Sequence, residues 1–195
     1  MNLVILGLGN PGVDYEHSRH NVGHWFVNHF VKLQKASFHA SSSYQICSFP
    51  FAEGKLTLAR SVNYMNQNGQ GIKKLLNTFL GKKDEFVIVH DELDLPIGRV
   101  KLSHGKSAAG HNGVTSVLEQ LNFSPLRLRI GIGATRHPDL SSSEFVLSRF
   151  SNEEQLCLDS LTSTLIHSFR LLLTRGLSFA LNFTNSYPLN KPTLL

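Results

Sequence analysis

Short, wholly apolar runs along the chain predict β-strands. Residues 3–8 and 86–90 are such runs, and each is followed by turn-forming or acidic residues, as is typical of strands buried on both faces of a sheet. We expect the first run to be a central strand. Further strands are predicted at residues 44–51 and 55–61, which form an antiparallel hairpin around Glu53-Gly54, and at residues 98–102 and 127–133.

Segments in which apolar residues recur at helical spacing predict helices between these strands. Residues 21–33 carry an apolar stripe that would face the sheet, and His20 lies at the entrance of this helix. Residues 66–80 predict a helix with an irregular start, because two glycines fall in its first part. The longest helix is expected within residues 151–176, which open with a Ser-x-x-Glu capping box and end in glycine.

The order of these elements predicts the fold class. Strands and helices are interleaved, and no proline-rich linker, repeat or low-complexity segment separates them. We therefore expect an α/β fold in a single domain over residues 1–195, with a twisted mixed β-sheet flanked by helices. The tail from about residue 188 is expected to fray. The 41% share of hydrophobic residues allows a sizeable buried core.

Composition narrows the choice of partner and compartment. The net charge of +5 favours an anionic partner such as nucleic acid, although a basic surplus alone fits a solvated surface equally well. Cys47 and Cys157 lack metal or redox spacing, so a reduced intracellular chain is the simpler interpretation. No basic leader opens the sequence, and no run approaches the ~20 apolar residues of a membrane span. We expect a soluble, cytoplasmic protein without a membrane partner.

The segment Gly7-Leu8-Gly9-Asn10-Pro11-Gly12 fits the dinucleotide-binding pattern G-x-G-x-x-G and follows a predicted strand. A nicotinamide-dependent oxidoreductase is therefore one alternative. Three features disfavour it. Pro11 removes a backbone donor from the turn that would hold the pyrophosphate, the next helix begins only near Asn21, and no strand ending in an acidic residue follows at the usual distance.

A metal site and a serine nucleophile are two further alternatives. The histidines that cluster near the N-terminus are His17, His20, His24 and His29. His20 and His24 have the i, i+4 spacing of zinc proteases, but the glutamate that those enzymes place between the two histidines is absent. Residues 106–110 lack the leading glycine of the G-x-S-x-G pattern that exposes a nucleophilic serine. Neither type of site is favoured.

The remaining polar residues suit general-base catalysis by water activation. His20 lies at a helix entrance and Asp91 at the carboxyl end of a strand, where α/β folds place ligands. An imidazole can take a proton from water at neutral pH, and a carboxylate bound to its other nitrogen fixes the tautomer. Asn10, Asn66 and Asn112 offer uncharged amides that can bind a peptide backbone or an oxyanion. Spacing alone leaves this assembly a hypothesis, because an isolated His or Asp is more often structural.

Five blocks of the sequence follow one another in a specific order. They are Leu6-Gly7-Leu8-Gly9-Asn10-Pro11-Gly12 with Tyr15 and Arg19-His20-Asn21-Val22-Gly23; Tyr64-Met65-Asn66; His90-Asp91-Glu92-Leu93-Asp94-Leu95-Pro96; Gly110-His111-Asn112-Gly113; and Arg127-Leu128-Arg129-Ile130-Gly131-Ile132-Gly133. Together they closely resemble the signature of the bacterial peptidyl-tRNA hydrolase family. Beyond Gly133 the resemblance is mainly in length and helical character.

The resemblance implies an esterase that cuts the bond between the peptide and the 3′-terminal ribose of peptidyl-tRNA released by stalled ribosomes. It implies that His20 is the base and that Asp91 orients it. It also implies a monomer that needs no metal and no cofactor. The residues implied to bind the peptide, position water or the oxyanion, or line the site are Asn10, Asn66, Asn112, Tyr15 and Met65.

The tRNA is expected to be held through its phosphates, which makes binding salt-sensitive and largely independent of sequence. The candidate contacts are Lys101, Lys106, Arg129 and Arg136. The chain departs from the family at Ser103, where many relatives carry a lysine that pairs with the arginine matching Arg129 to clamp the tRNA 5′ phosphate. Lys101 or Lys106 is expected to substitute.

Two further departures from the family concern loops. The glycine-rich stretch before the His-Asn motif is represented by residues 105–110, so the flexibility of this loop, and any gating of the site by it, is expected to differ. Gln67-Asn68-Gly69 replaces the usual x-Ser-Gly, which is expected to alter a helix-start cap and to leave catalysis intact. A non-catalytic RNA-binding relative of the same fold is the main competing hypothesis, and the presence of both His20 and Asp91 argues against it.

Overall fold

A seven-stranded mixed β-sheet forms the centre of the part of the chain that the computed structural model describes, which is residues 1–105, 107–133 and 140–186. The strands are β1 (Leu3–Gly7), β2 (His39–Ala40), β3 (Tyr44–Phe51), β4 (Gly54–Ser61), β5 (Glu85–Glu92), β6 (Val100–His104) and β7 (Leu126–Gly131). Across the sheet they lie in the order β2-β3-β4-β1-β5-β7-β6. The predicted α/β fold with a mixed sheet is confirmed.

The strands at the centre of the sheet are parallel. β1 pairs in parallel with β4 on one side and β5 on the other, and β5 pairs in parallel with β7. The pairs β2/β3, β3/β4 and β6/β7 are antiparallel. All five residues of β1 are buried, which confirms that this apolar run is a central strand. Because β1, β5 and β7 are parallel, their carboxyl ends meet at one edge of the sheet, which is where such folds bind ligands.

Helices cover both faces of the sheet. In the described residues they are α1 (Val22–Leu33), α2 (Ile72–Phe79), α3 (Asn112–Leu118), α4 (Ser142–Leu147), α5 (Asn152–Arg175) and α6 (Leu177–Ser186). Alternate side chains of β1 point to opposite faces. Leu3 and Ile5 belong to the apolar core that α1 and α5 cover, whereas Val4 and Leu6 belong to the core beneath α2 and α3.

Several predicted elements are confirmed with small changes at their ends. α5 begins with the predicted capping box, in which Ser151 Oγ accepts from the Glu154 N–H and the Glu154 carboxylate accepts from the Ser151 N–H. Gly176 ends the helix with a φ of 85°. The β3/β4 hairpin also forms, but its turn is at Ala52 and Glu53, because Gly54 already belongs to β4.

The structure differs from the predictions at two places near the site. Residues 66–80 are not one helix: a 3₁₀ turn at Met65–Gln67 is separated from α2 by Gly71, whose left-handed φ of 77° interrupts the helical backbone. The strand predicted at residues 86–90 extends two residues further, so that Asp91 and Glu92 are the last residues of β5, paired with β7. The second difference places the Asp91 side chain on a rigid element.

Four of the described strands and helices were not expected from the sequence. β2 has two residues, α4 six and α3 seven, which is too short for the periodicity of a strand or a helix to be recognised. α6 follows α5 after the single residue Gly176, at which the longest predicted helix was expected to end. None of the described helices is both long and apolar enough to span a membrane. The predicted fraying tail, from about residue 188, lies outside the described residues.

Candidate active site

His20 lies in a 3₁₀ turn, Arg19–Asn21, between the loop after β1 and the start of α1. Arg19 anchors this turn to distant parts of the chain. Its guanidinium donates to the Ile132 carbonyl at 2.7 Å and binds both carboxylate oxygens of Glu154, at 3.0 and 2.7 Å. The turn that carries His20 is therefore held against the segment after β7 and the first turn of α5.

The imidazole of His20 contacts the carboxylate of Asp91 at the end of β5. Nδ1 of His20 lies 2.8 Å from Oδ1 and 2.9 Å from Oδ2 of Asp91. An ionised carboxylate only accepts hydrogen bonds, so His20 Nδ1 carries a proton, and Nε2 of the neutral ring is unprotonated. The side chains of His20 and Asp91 are 13% and 2% exposed. The structure thus brings together the two residues that the sequence analysis paired, with only the imidazole accessible.

A second imidazole, that of His111, binds the same carboxylate. Nε2 of His111 lies 2.8 Å from Oδ1 of Asp91. Nδ1 of His111 accepts from the backbone N–H groups of Gly113 and Val114, at 3.1 and 3.2 Å, and so caps the N-terminus of α3. These contacts place the proton of the neutral ring on Nε2. His111 is not among the site residues predicted from the sequence, although its position next to Asn112 in the Gly-His-Asn-Gly block is a signal for it.

The pKa values of two neighbouring residues at the end of β5, His90 and Asp91, are both lowered, for different reasons. Burial alone would raise the pKa of Asp91, but the charge and hydrogen bond of His111, and then those of His20, outweigh it and hold this pKa well below its usual range. Nδ1 of the neighbouring His90 donates to the Asp91 backbone carbonyl at 2.7 Å. Burial, followed by the charge of His111, lowers the pKa of His90 to about 3. The Asp91 carboxylate is therefore ionised, and the His90 imidazole beside it stays neutral.

Asn10 is oriented by hydrogen bonds on all its polar groups but one. Its Oδ1 accepts from the Met65 N–H at 2.8 Å. Its backbone N–H donates to Oδ1 of Asn21 at 2.7 Å, and its backbone carbonyl accepts from Nδ2 of Asn21 at 2.9 Å. Asn10 Nδ2 has no hydrogen bond to another described residue. Asn10, which is 8% exposed, therefore keeps one oriented N–H donor available at the site.

Asn68 joins the loop after β1 to the Met65–Gln67 turn. Asn68 is fully buried. Its Oδ1 accepts from the Gly9 N–H at 3.0 Å, and its Nδ2 lies 3.0 and 2.9 Å from the carbonyl oxygens of Gly9 and Tyr64. The expectation that this position alters a helix-start cap is wrong, because Gly71 is the N-cap residue of α2. Asn68 instead holds together the two segments that carry Asn10 and Met65.

A cavity of about 970 Å³ opens in front of the His20–Asp91 pair. Its lining includes Asn10, buried Met65 and the exposed side chains of Asn66 and Asn112. The asparagines and the methionine predicted for the site are therefore gathered around one cavity. Apolar side chains of the lining come from Leu93, Ala108, Val146 and Leu147.

Tyr15 contributes to this cavity only indirectly. It is not among the described residues that line the cavity, which corrects the expectation drawn from the resemblance. Its ring packs edge-on against Tyr64, with centroids 6.3 Å apart, and Tyr64 is a lining residue. Tyr15 therefore supports the Tyr64 wall of the site.

The basic residues lie on β6 and β7. Lys101 is exposed and pairs in register with Arg129 on the neighbouring strand. Arg129 donates to Ser103 Oγ at 3.2 Å and to the Glu92 carboxylate at 3.3 Å. Ser103 therefore occupies the place beside Arg129 that the resemblance gives to a lysine, and Lys101 lies on the same face of β6. The other two candidate contacts, Lys106 and Arg136, lie outside the described residues.

The described residues include one group that could surround a metal ion. The ligand atoms of His20, Asp91 and His111 lie within 4.8 Å of one another. Hydrogen bonds of 2.8 Å from each imidazole to the carboxylate account for this proximity without an ion. His20 Nδ1 and His111 Nε2 carry protons in this arrangement and would have to lose them to bind a metal. His17, His24 and His29, the other members of the sequence cluster, are not in the group.

The glycine turn after β1 is packed closely against α1. A Cβ on Gly7 would overlap the backbone carbonyl of Gly23, and a Cβ on Gly9 would lie 2.5 Å from the His24 ring. No helix follows the turn directly, since α1 begins at Val22. Close packing therefore accounts for Gly7 and Gly9, and a φ of 100° accounts for Gly12. The helix terminus that a dinucleotide pyrophosphate requires is not at the turn.

Known proteins are similar to this chain over nearly its whole length. A family model described as "Peptidyl-tRNA hydrolase" matches residues 4–192. The peptidyl-tRNA hydrolase of Thermodesulfovibrio yellowstonii is 32% identical over 186 residues, which cover 94% of this chain and 98% of that protein. The one from Lawsonia intracellularis is 34% identical over 191 residues, covering 96% and 95%. A crystal structure of peptidyl-tRNA hydrolase from Acinetobacter baumannii is 29% identical, covers 94% of both chains and superimposes with a TM-score of 0.83.

Proposed function

The chain belongs to the peptidyl-tRNA hydrolase family, a family of hydrolases that act on the ester bond of peptidyl-tRNA, and we propose that it cuts this bond with water activated by His20. The observation that carries the proposal is the 2.8 Å contact between His20 Nδ1 and Asp91 inside a cavity lined by three asparagines. The products are a free peptide and an intact tRNA.

His20 acts as the general base. Its Nδ1–H is bound to Asp91, so the lone pair of Nε2 can take a proton from water at the accessible edge of the ring. The Asp91 carboxylate then stabilises the imidazolium that forms. Water adds to the ester carbonyl, and the tetrahedral intermediate collapses with departure of the ribose oxygen, which takes up a proton. No step requires a metal or a cofactor.

Asparagine amides bind the peptide part and the developing oxyanion. Asn10 is the best-oriented donor, because its Oδ1 is bound to the Met65 N–H and its Nδ2 is unused by the described residues. A donor that is held in place before the reaction stabilises charge in the transition state without having to reorganise. Asn66 and Asn112 line the same cavity and offer both donors and acceptors to a peptide backbone.

The asparagine amides of the lining favour substrates with a blocked amino group. An N-acylated residue brings a neutral amide that asparagines can bind, whereas a free ammonium loses hydration without gaining a buried counter-charge. Three acidic residues line the cavity, but Asp91 is bound to the imidazoles of His20 and His111, Glu92 is paired with Arg129 and Asp94 is exposed. We therefore expect peptidyl-tRNA to be preferred over aminoacyl-tRNA.

The tRNA binds mainly through phosphates, with Lys101 and Arg129 as the described candidates. These two residues lie side by side on β6 and β7. Phosphate contacts of this kind give affinity that falls with salt and depends little on sequence. One chain supplies both the His20–Asp91 dyad and the asparagines, so we propose that the monomer is active without an obligate protein partner. Its place of action would be the cytoplasm, where translation releases its substrate.

A hydrolysis assay with two substrates tests the proposal. N-acetyl-aminoacyl-tRNA and the same aminoacyl-tRNA without the acetyl group are incubated in EDTA with the wild type and with His20→Ala. We expect hydrolysis of the acetylated substrate by the wild type only, with tRNA binding retained by the variant. Binding without turnover by the wild type would support the non-catalytic alternative, and undiminished turnover by His20→Ala would exclude His20 as the base.

A further inference from the structure

His111 and His20 donate to the same oxygen of the same carboxylate. Both His20 Nδ1 and His111 Nε2 lie 2.8 Å from Asp91 Oδ1, and only His20 also contacts Oδ2, at 2.9 Å. We infer that His111 is a positioning residue that lowers the basicity of His20 by sharing the Asp91 carboxylate with it. This inference rests on the proposed function, in which His20 is the base.

The physical reason is competition for one negative charge. When His20 takes a proton, the imidazolium is stabilised by its attraction to Asp91. The N–H of His111 already neutralises part of the charge on Oδ1, so the remaining attraction is smaller than in a simple His–Asp pair. A base that is too strongly stabilised as a cation would stay protonated at working pH and could not accept a proton from water.

His111 is suited to this task because both of its ring nitrogens are held by hydrogen bonds. Its Nδ1 lone pair is occupied by the N–H groups of Gly113 and Val114 at the start of α3. Protonation of Nδ1 would break this cap and leave two amide donors unbound. The rings of His111 and His20 are also only 4.7 Å apart between centroids, so a second imidazolium beside protonated His20 would be repelled.

The other titratable groups around the dyad do not duplicate this contact. His90 on β5 uses Nδ1 for the Asp91 backbone carbonyl, and burial keeps it neutral with a pKa of about 3. Glu92 at the end of β5 is paired with Arg129, and Asp94 is exposed. The remaining titratable residue of the lining is Tyr64, whose ring packs against Tyr15. The described residues of α4 that line the cavity carry no titratable group.

Two substitutions separate the contact with Asp91 from the cap of α3. His111→Asn keeps a favoured N-cap side chain but is too short to reach Asp91. His111→Gln places an amide nitrogen at about the distance of Nε2 and can still donate to Asp91, whereas glutamine is a poor N-cap. Side-chain NMR titration of His20 measures its proton affinity directly, without substrate and without any need for activity.

We expect the proton-binding constant of His20 to rise about threefold to tenfold in His111→Asn, the equivalent of one ordinary hydrogen bond. In His111→Gln the proton-binding constant of His20 should stay within about twofold of the wild-type value, which is a smaller change than the loss of one such hydrogen bond would cause. The acid limb of kcat/KM for N-acetyl-aminoacyl-tRNA should move to higher pH in His111→Asn only, so that its activity loss is greater at pH 6 than at pH 8.5.

A merely structural role would lower activity at all pH values and leave the His20 titration unchanged. An unchanged titration in His111→Asn, or an equal change in both variants, would overturn the inference while leaving the proposed base intact. Failure of the proposed function is recognised separately, because His20→Ala would then retain turnover. Thermal melting of both His111 variants checks that each is folded.

Discussion

Arg19 and Glu154 form a two-point ion pair that joins the turn carrying His20 to the first turn of α5. The guanidinium meets the two carboxylate oxygens at 3.0 and 2.7 Å, and its planar face lies 4.6 and 4.9 Å from the ring centroids of Phe145 and Phe150. The position of His20 thus depends on a residue far along the chain. This relationship gives the long C-terminal helix a role in holding the base.

Breaking this ion pair is expected to destabilise the protein. Glu154→Gln leaves the guanidinium of Arg19, whose side chain is 9% exposed, without its counter-charge. Since the Glu154 side chain is 27% exposed and solvent compensates in part, we expect a loss of roughly 2 kcal/mol in the free energy of unfolding, below the range for fully buried pairs. Urea denaturation measures it. The neighbouring exposed Glu153→Gln is the control and should change stability by less than about 0.5 kcal/mol.

Removal of the Asn68 amide is expected to lower both stability and activity. Asn68→Ala leaves the Gly9 N–H and the Gly9 and Tyr64 carbonyls without their buried partner, which costs roughly 3 kcal/mol in unfolding free energy. Because the loop that carries Asn10 then loosens, kcat/KM should fall at least about tenfold, as expected when a catalytic group is mispositioned. Gln70→Ala, at an exposed position of the same segment, is the control. Wild-type kinetics in folded Asn68→Ala would contradict the prediction.

The stability of the protein is expected to fall as the pH drops below about 6.5, because of buried histidines. Burial, and then the charge of Arg60, lowers the pKa of His24 from 6.5 to about 3, so the unfolded chain binds a proton there before the folded protein does. The stabilising contribution is fully present above pH 6.5 and is lost toward pH 3, at up to about 1.4 kcal/mol per pH unit.

Burial also lowers the pKa of His90 from 6.5 to about 3, so its contribution to stability is lost in the same direction and over the same pH range. Unfolding free energies between pH 4 and pH 8 measure the effect. His24→Leu should reduce the slope between pH 4 and pH 6.5, whereas replacement of the exposed His17 by glutamine should not. A slope that is equal in all three proteins would show that His24 is not neutral in the folded state.

Lys101 is expected to contribute one phosphate contact to tRNA binding. It lies beside Arg129 on the face of β6 that also carries Ser103. Lys101→Ala should weaken tRNA binding and reduce the slope of log Kd against log salt by about 0.9, the value for one released counterion. Lys83→Ala is the matched control, because Lys83 precedes β5 at the opposite edge of the sheet. Equal salt slopes for Lys101→Ala and the wild type would remove Lys101 from the interface.

The parts of the fold that follow from local pattern could be predicted from the sequence. β1 and β5 are apolar on both faces, which only a central strand explains, and the Ser151–Glu154 cap marks the start of α5. The His20–Asp91 pairing could be proposed as a hypothesis, because one residue precedes a helix and the other ends a strand at the binding edge of the sheet, and the family resemblance then supported it.

The remaining features depend on contacts between distant segments. His111 reaches Asp91 only because α3 begins next to the end of β5, and nothing in its neighbours' hydrophobicity indicates this. Asn68 was expected to act on its own helix start, yet its side chain bonds to a loop 59 residues earlier in the chain. Polar side chains of this kind acquire a role from the tertiary structure, which periodicity does not encode.

Because the turn after β1 packs tightly against α1, the glycines of the opening motif indicate that a related chain has this fold, and they do not indicate that it is active. A side chain at position 23 would collide with the carbonyls of Val89 and Leu8, and one at position 7 with the carbonyl of Gly23. A descendant that lost hydrolysis would therefore still need both glycines in order to fold. Sequence surveys that seek active enzymes should score the dyad and the asparagines, and treat the glycines as markers of architecture alone.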